Sequence, residues 1–193
     1  VAYKFVQKFL PNRKGFTFIE MIVAVAVLVF IMIGIVVVYR NYTSVYEYQE
    51  ATVKVSGSAR VAANELQKIA LQADKIATSH DFSGHNYSSD QHTLVLEIPS
   101  VDSSGHVVSG KYDYAVIYLT GSDLYRRIEA DAASDRSSGI TRLSEAVSSL
   151  DFTYNDANLD LANKIDMDLR TETSSRGQTI SYRLTREIFL RNK

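Results

Sequence analysis

Hydrophobic and polar positions divide this chain into three regimes. From Met21 to Tyr39 it reads MIVAVAVLVFIMIGIVVVY, nineteen residues without a charge, and extending back to Phe16 adds one ionisable group, Glu20. A bilayer-spanning helix needs roughly 20 apolar residues, so the run predicts a span over 16–40. It is apolar on every side, whereas a core helix of a soluble domain is apolar on one. Val and Ile lower helicity in water, but lipid requires every backbone group to bond within its own segment, which favours helix.

In the second regime Val45, Tyr48, Thr52, Val55, Ala59, Ala62, Leu66, Ile69, Ala73 and Ile76 alternate spacings of three and four. This is a one-sided helical stripe. Glu47, Glu50, Lys54, Arg60, Glu65, Lys68 and Asp74 fall between. Thr and small Ala make weak knobs for a coiled coil, so the stripe is expected to lie against a sheet of its own domain, as an amphipathic continuation over 41–77. A helix from Phe16 to about Ile76 is about 90 Å long. Gly34 and Ser56-Gly57-Ser58 mark sites for a bend.

The third regime, 78–193, alternates at the period of strands. Thr78–Gln91 is rich in Ser, His, Asp and Asn and reads as a loop. Strands are expected at Thr93–Ile98, Tyr112–Leu119, Leu124–Ile128, Leu150–Tyr154, Lys164–Leu169 and Thr179–Ile188. Asp102-Ser103-Ser104-Gly105 and Thr120-Gly121-Ser122-Asp123 supply turns, and Ile140–Ser149 reads as a short helix. The fold class is α+β, a long N-terminal helix on a mostly antiparallel head.

Charge sharpens this picture. Lys4, Lys8, Arg13 and Lys14 precede the span with no acid among them, and after it only Arg40 is close. The positive-inside tendency places the leader in the cytoplasm and the head outside. The rest of the chain keeps all 22 acidic residues against the remaining basic ones, which argues against general nucleic-acid binding. There is no Cys, hence no disulfide, thiol catalyst or Cys-ligated zinc.

A secretory signal would end its apolar stretch in a small-x-small cleavage site, and Val36-Val37-Val38-Tyr39-Arg40 offers none. Arg13-Lys14-Gly15-Phe16-Thr17-Phe18-Ile19-Glu20 instead puts a basic pair and a Gly in front of it. Gly15 has no side chain to obstruct a protease at the membrane face. RKGFTFIEMIVAVAV resembles the prepilin cleavage and methylation motif of type IV pilins, pseudopilins and competence pilins. The resemblance implies a pilin-like fold, removal of 1–15 by the prepilin peptidase between Gly15 and Phe16, and N-methylation of Phe16. It implies that Glu20 neutralises the new α-amine of a neighbouring subunit's Phe16 during assembly. The plainer reading of Glu20 is an anion in the first helical turn, favoured by the helix dipole. Many pilins carry a Pro within this helix and none occurs here.

In the head, YAVIYLTGSDLYRRI, RLSEAVSSLDFTY and a terminal LRN resemble the J-type minor pseudopilins of type II secretion and the W-type minor pilins. The implied role is a minor subunit of a fibre serving protein secretion, pilus assembly or DNA uptake. Implied partners are other pilin-like subunits through the helix, the peptidase, an inner-membrane assembly platform and the bilayer. The protein would sit in the cytoplasmic membrane and pass into a pilus or pseudopilus. The alternative is a membrane-tethered extracytoplasmic binding domain using the same export route.

Other chemistry is sparse. Asn155–Asp160 opens like a calcium loop, with Asp156, Asn158 and Asp160 as oxygen ligands. Leu161 stands in the Gly position and Met167 in that of the closing Glu, so a solvated turn explains the same residues. His80, His85, His92 and His106 lack paired helical spacing. GxSxG, P-loop and HExxH patterns are missing, so neither an enzyme nor a cofactor is expected. Arg183, Arg186, Arg191 and Lys193 read as the polar face of an edge strand, alternating with Tyr182, Leu184, Ile188 and Leu190.

Overall fold

The computed structural model describes residues 15–190; the leader cations, Arg191, Asn192 and Lys193 lie outside the described residues. One long N-terminal helix and a set of antiparallel sheets form an α+β, pilin-like fold. Helix α1 runs from Phe18 to Ala70 without interruption at Gly34 or Ser56-Gly57-Ser58. The chain divides into two units, one ending at Tyr46 and one beginning at Glu47.

The first unit holds the apolar stretch of α1. Every side chain from Phe18 to Tyr42 is exposed, and the most apolar window has a mean hydropathy of 3.4 with none of it buried. Such a surface is stable in lipid and costly in water.

In the second unit, the remainder of α1 buries Val55, Ala59, Ala62, Ala63, Leu66, Ile69 and Ala70. The small Ala side chains let strands approach the helix closely. Five strands pair in the order β1 (Lys75–Ile76), β4 (Leu94–Val101), β5 (Val107–Thr120), β6 (Asp123–Glu129), β7 (Gly139–Ser144). A three-stranded sheet pairs β10 (Gln178–Phe189), β9 (Lys164–Ser175) and β8 (Val147–Tyr154). Both are antiparallel throughout and share one core with the helix: Leu96 and Ile117 from the first sheet and Met167 and Leu169 from the second are fully buried with Leu66. The buried Thr171 hydroxyl donates to the Val55 carbonyl at 2.9 Å, tying β9 to the helix backbone.

Four expectations are corrected. The helix ends at Ala70, not near Ile76. After two tight turns, Gln72 to Ile69 and Ala73 to Ala70, the Asp74 amide bonds to the Glu97 carbonyl and the chain enters β1. Ala73 and Ile76 reach the same core from non-helical backbone, so the stripe spacing outlasts the helix. At the other end Val45 and Tyr48 are exposed, and burial starts at Val55.

Thr78–Gln91 is not a plain loop. It contains a hairpin of β2 (Ser79–Phe82) and β3 (His85–Ser88). Ser83 and Gly84 both have positive φ, 51° and 87°, as a type I′ hairpin turn requires. Phe82, fully buried, anchors it on Val95 and Val116.

Ile140–Ser149 forms no helix. It splits between β7 and β8, in different sheets, at Ala146 with φ 58°. The pairing of β8 shifts between Val147 and Ser149, so Val147 and Leu150, three apart, both face inward. That bulge imitates helical spacing.

The fourth correction concerns β10, which stands at a sheet edge as its alternation suggests. Arg183 lies on the outer face, but Arg186 shares the inner side with Tyr182, Leu184 and Ile188 and reaches Asn64 and Gln67 of α1 at 2.8 and 2.9 Å.

One polar cluster is built into the head. The Asp113 carboxylate, buried on β5, accepts from Ser100 and Ser134 hydroxyls at 2.7 Å, the Asp131 amide at 2.9 Å and Arg136 at 2.6 Å. Arg136 also donates to the Pro99 carbonyl at 2.6 Å. This pins the β6–β7 loop onto β4 and β5. Burial raises the pKa of this carboxyl, and Arg136 with the three other donors outweighs that and holds it below the usual range.

Candidate functional site

The residues around the expected cleavage point form the start of α1. Gly15 and Phe16 precede the helix and are exposed, Phe16 at 88%. Thr17 is the cap: its carbonyl takes the first helical bond, from Met21 at 3.2 Å. Its hydroxyl accepts from the Glu20 amide at 3.3 Å. In return Glu20 Oε2 accepts from the Thr17 amide at 2.8 Å and the Thr17 hydroxyl at 2.9 Å. Thr17 and Glu20 thus make a reciprocal capping box, satisfying two amides that a helix start leaves unpaired. The signal was legible as Thr-x-x-Glu before an apolar run, and the reading of Glu20 as an anion in the first turn passed it over.

Both donors fall on Oε2, and among the described residues nothing donates to Oε1. Phe16, Ile19, Val23 and Ala24 border a shallow, largely apolar depression beside the Glu20 carboxylate. A cationic group entering it would meet one charged oxygen in an otherwise hydrocarbon surface.

Comparison with known families bears on this segment. Residues 10–36 match the prokaryotic N-terminal methylation motif. The match supports a type IV prepilin-like protein, exported and processed as that class is, and points to a structural subunit rather than an enzyme. The apolar α1 fits a membrane-anchored pilin that assembles with other pilin subunits. No curated protein matches the chain.

The remaining candidate residues that the structure describes belong to the second unit. In the 155–160 loop, Asp156 Oδ1 accepts from the Asn158 amide at 2.8 Å and Asn158 Oδ1 from the Asp160 amide at 3.1 Å. Asn155 Oδ1 accepts from the amides of Asn163 and Lys164. These oxygens shape a turn between β8 and β9. Among the described residues no group of three His, Asp or Glu converges as metal ligands.

The histidines are scattered. His80 stacks on Tyr114 at 3.6 Å between centroids and meets Glu129 at 3.0 Å, holding the β2–β3 hairpin to β6. The Ser83 hydroxyl donates to the same carboxylate at 2.6 Å. The Ser83 bond first, and His80 after it, keep the Glu129 carboxyl below the ordinary range despite partial burial. His92 bonds the Leu150 carbonyl at 3.0 Å, and His85 tilts against Tyr87. Of the C-terminal cations, Arg183 forks onto Asp168 with Nε at 2.9 and 3.0 Å from its two oxygens.

Proposed function

We propose that this protein is a structural subunit, a minor pilin or pseudopilin, of a type IV pilus-like fibre. The peptidase cuts between Gly15 and Phe16, Phe16 is N-methylated, and the head stands on the extracytoplasmic side. The observation that carries the reading is the placement of the processing motif. Gly15-Phe16 lies in exposed, non-helical backbone immediately before the cap of an uninterrupted apolar helix. A protease needs an extended strand of backbone, and cutting there leaves the whole helix on the mature chain.

Glu20 then has two partners in succession. Within its own subunit it closes the capping box through Oε2. In the fibre, Oε1 receives the amine of a neighbouring subunit's Phe16, a charge that exists only after cleavage. In hydrocarbon such a pair finds no competing water, which favours correctly processed subunits. The likeness of 112–192 to J-type minor pseudopilins and W-type minor pilins, supported by the short Gly121-Ser122 turn between β5 and β6, favours a minor subunit of a secretion or pilus machine.

Intact-mass measurement of protein extracted from membranes tests this. The expected species begins at Phe16 and carries one added methyl group. A chain retaining the residues before Gly15, or one cut beyond Tyr39, would overturn the reading.

A further inference from the structure

We propose that Tyr39, Tyr42 and Tyr46 form a one-sided anchor that seats α1 in the phospholipid headgroup layer at the far end of its apolar run. The inference rests on reading α1 as a membrane span and adds where along the helix the bilayer stops and which face meets lipid.

The axial position comes first. Glu20 is the last charge before the apolar run and Tyr39 closes it. At 1.5 Å per residue these two positions are about 28 Å apart along the axis, against a hydrocarbon thickness of about 30 Å. With Glu20 at one edge, Tyr39 reaches the other. Arg40 and Asn41 follow at once, then Thr43 and Ser44, so the solvent preference of the chain changes within one turn. The three tyrosines lie within eight residues, about 10 Å of axis, which is of the order of the headgroup layer.

The azimuth comes second. Spacings of three and four, at about 100° per residue, hold the three rings within about 60° of one another. Arg40, Asn41 and Ser44 fall on the other side. The rings are 66%, 68% and 58% exposed, and among the described residues none of the three hydroxyls has a hydrogen-bond partner. Among the described residues no aromatic contact involves them either.

Tyrosine is apolar in its ring and polar at its tip, so it is most stable where hydrocarbon meets headgroups. The ring lies against acyl chains and the hydroxyl donates to phosphate or ester oxygens. A face with three such rings sinks further into the boundary than the Arg40–Asn41–Ser44 face, which tilts the helix toward its tyrosine side. Tilt set by interfacial anchors, not by span length, is the general behaviour of membrane helices.

The chain has no Trp, so a single substitution creates a unique fluorophore. Full-length Tyr42→Trp and Ser44→Trp proteins are reconstituted in vesicles of phosphatidylcholine and phosphatidylglycerol. Some vesicles carry nitroxide lipids labelled near the headgroup and others lipids labelled deep in the acyl chain; iodide serves as the aqueous quencher. The expected result is blue-shifted emission from Tyr42→Trp, quenched more by the shallow label than the deep one and little by iodide. Ser44→Trp is expected to be reached by iodide. Tyr46→Trp, on the same face as Tyr42, is a second reporter should the first variant express poorly, and shallow-label quenching there supports the proposal equally.

Iodide quenching of Tyr42→Trp equal to that of Ser44→Trp, in protein that still floats with vesicles, overturns the anchor while leaving the span intact. Protection from lipid labels and iodide alike would show the face covered by another helix, and overturns it too. Wild-type protein that fails to float with vesicles removes the span itself.

Discussion

The Glu20 carboxylate closes on the Thr17 amide at 2.8 Å, and the Thr17 hydroxyl closes on the Glu20 amide at 3.3 Å, so each residue caps the other at the first turn of α1. The acid proposed to receive a neighbour's amine is therefore held by its own helix before any neighbour arrives. Fixing the rotamer in advance lowers the entropy lost when a partner amine docks.

Cap and charge pair are separable by substitution. Glu20→Gln keeps an acceptor for the Thr17 amide but carries no charge, whereas Glu20→Ala loses both. Both variants are expected to insert and to be cleaved, and both to be depleted relative to wild type in sheared fibres when co-expressed. Gln-form subunits incorporated as well as wild type, measured against the membrane pool, would leave the cap as the whole role of Glu20.

Arg136→Met removes the cation that, among the described residues, pairs with the buried Asp113 carboxylate, and is expected to destabilise the head by about 3 kcal/mol in denaturant titration at neutral pH. The pH dependence follows from the lowered pKa. Asp113 contributes stability that is fully present above its unfolded pKa, about 3.9, and is lost as pH falls through the folded value. In the variant burial acts unopposed by Arg136, so protonation costs less. The stability gap between wild type and variant should narrow below about pH 4; a gap constant down to pH 3 would contradict the charge argument.

A fragment beginning at Thr43 should fold without the membrane segment. All the buried positions of α1, from Val55 to Ala70, belong to the unit that starts at Glu47. Circular dichroism should report helix and strand melting in one transition. Leu66→Ala, at the centre of the shared core, should lower stability by about 2–5 kcal/mol. Helical signal lost well before the strand signal would mean that the helix does not rely on the sheets.

Arg176 at the β9–β10 turn donates to Glu47 of α1, its Nη2 2.9 Å from Oε1. Arg176→Ala should leave the melting temperature nearly unchanged, because exposed ion pairs contribute little. Amide exchange around Gly177 and Gln178 should quicken, and high salt should have the same effect on wild type. Exchange indifferent to both changes would show the pair to be incidental.

Some of this protein was determined by its sequence alone. A span of nineteen uncharged residues needs no tertiary partner to become a helix in lipid, since backbone bonding within the segment is the only way to satisfy its polar groups. The N-terminal methylation motif over 10–36 is legible for the same reason: its meaning depends on order along the chain. Strands such as Tyr112–Leu119 are likewise visible, because alternation is local. Other features only the folded chain decided. Ile76 keeps helical spacing yet lies in β1, because pairing with β4 outcompeted another turn of helix. Val147 and Leu150 imitate a helix through a bulge, and the polar β2–β3 hairpin exists because Phe82 finds Val95 and Val116 across a sheet. Asp113 and Arg136 are 23 residues apart, and no local pattern joins them. Only the meeting of β5 with the β6–β7 loop makes them a buried pair, since burial is a property of the assembled core and not of any local run of residues.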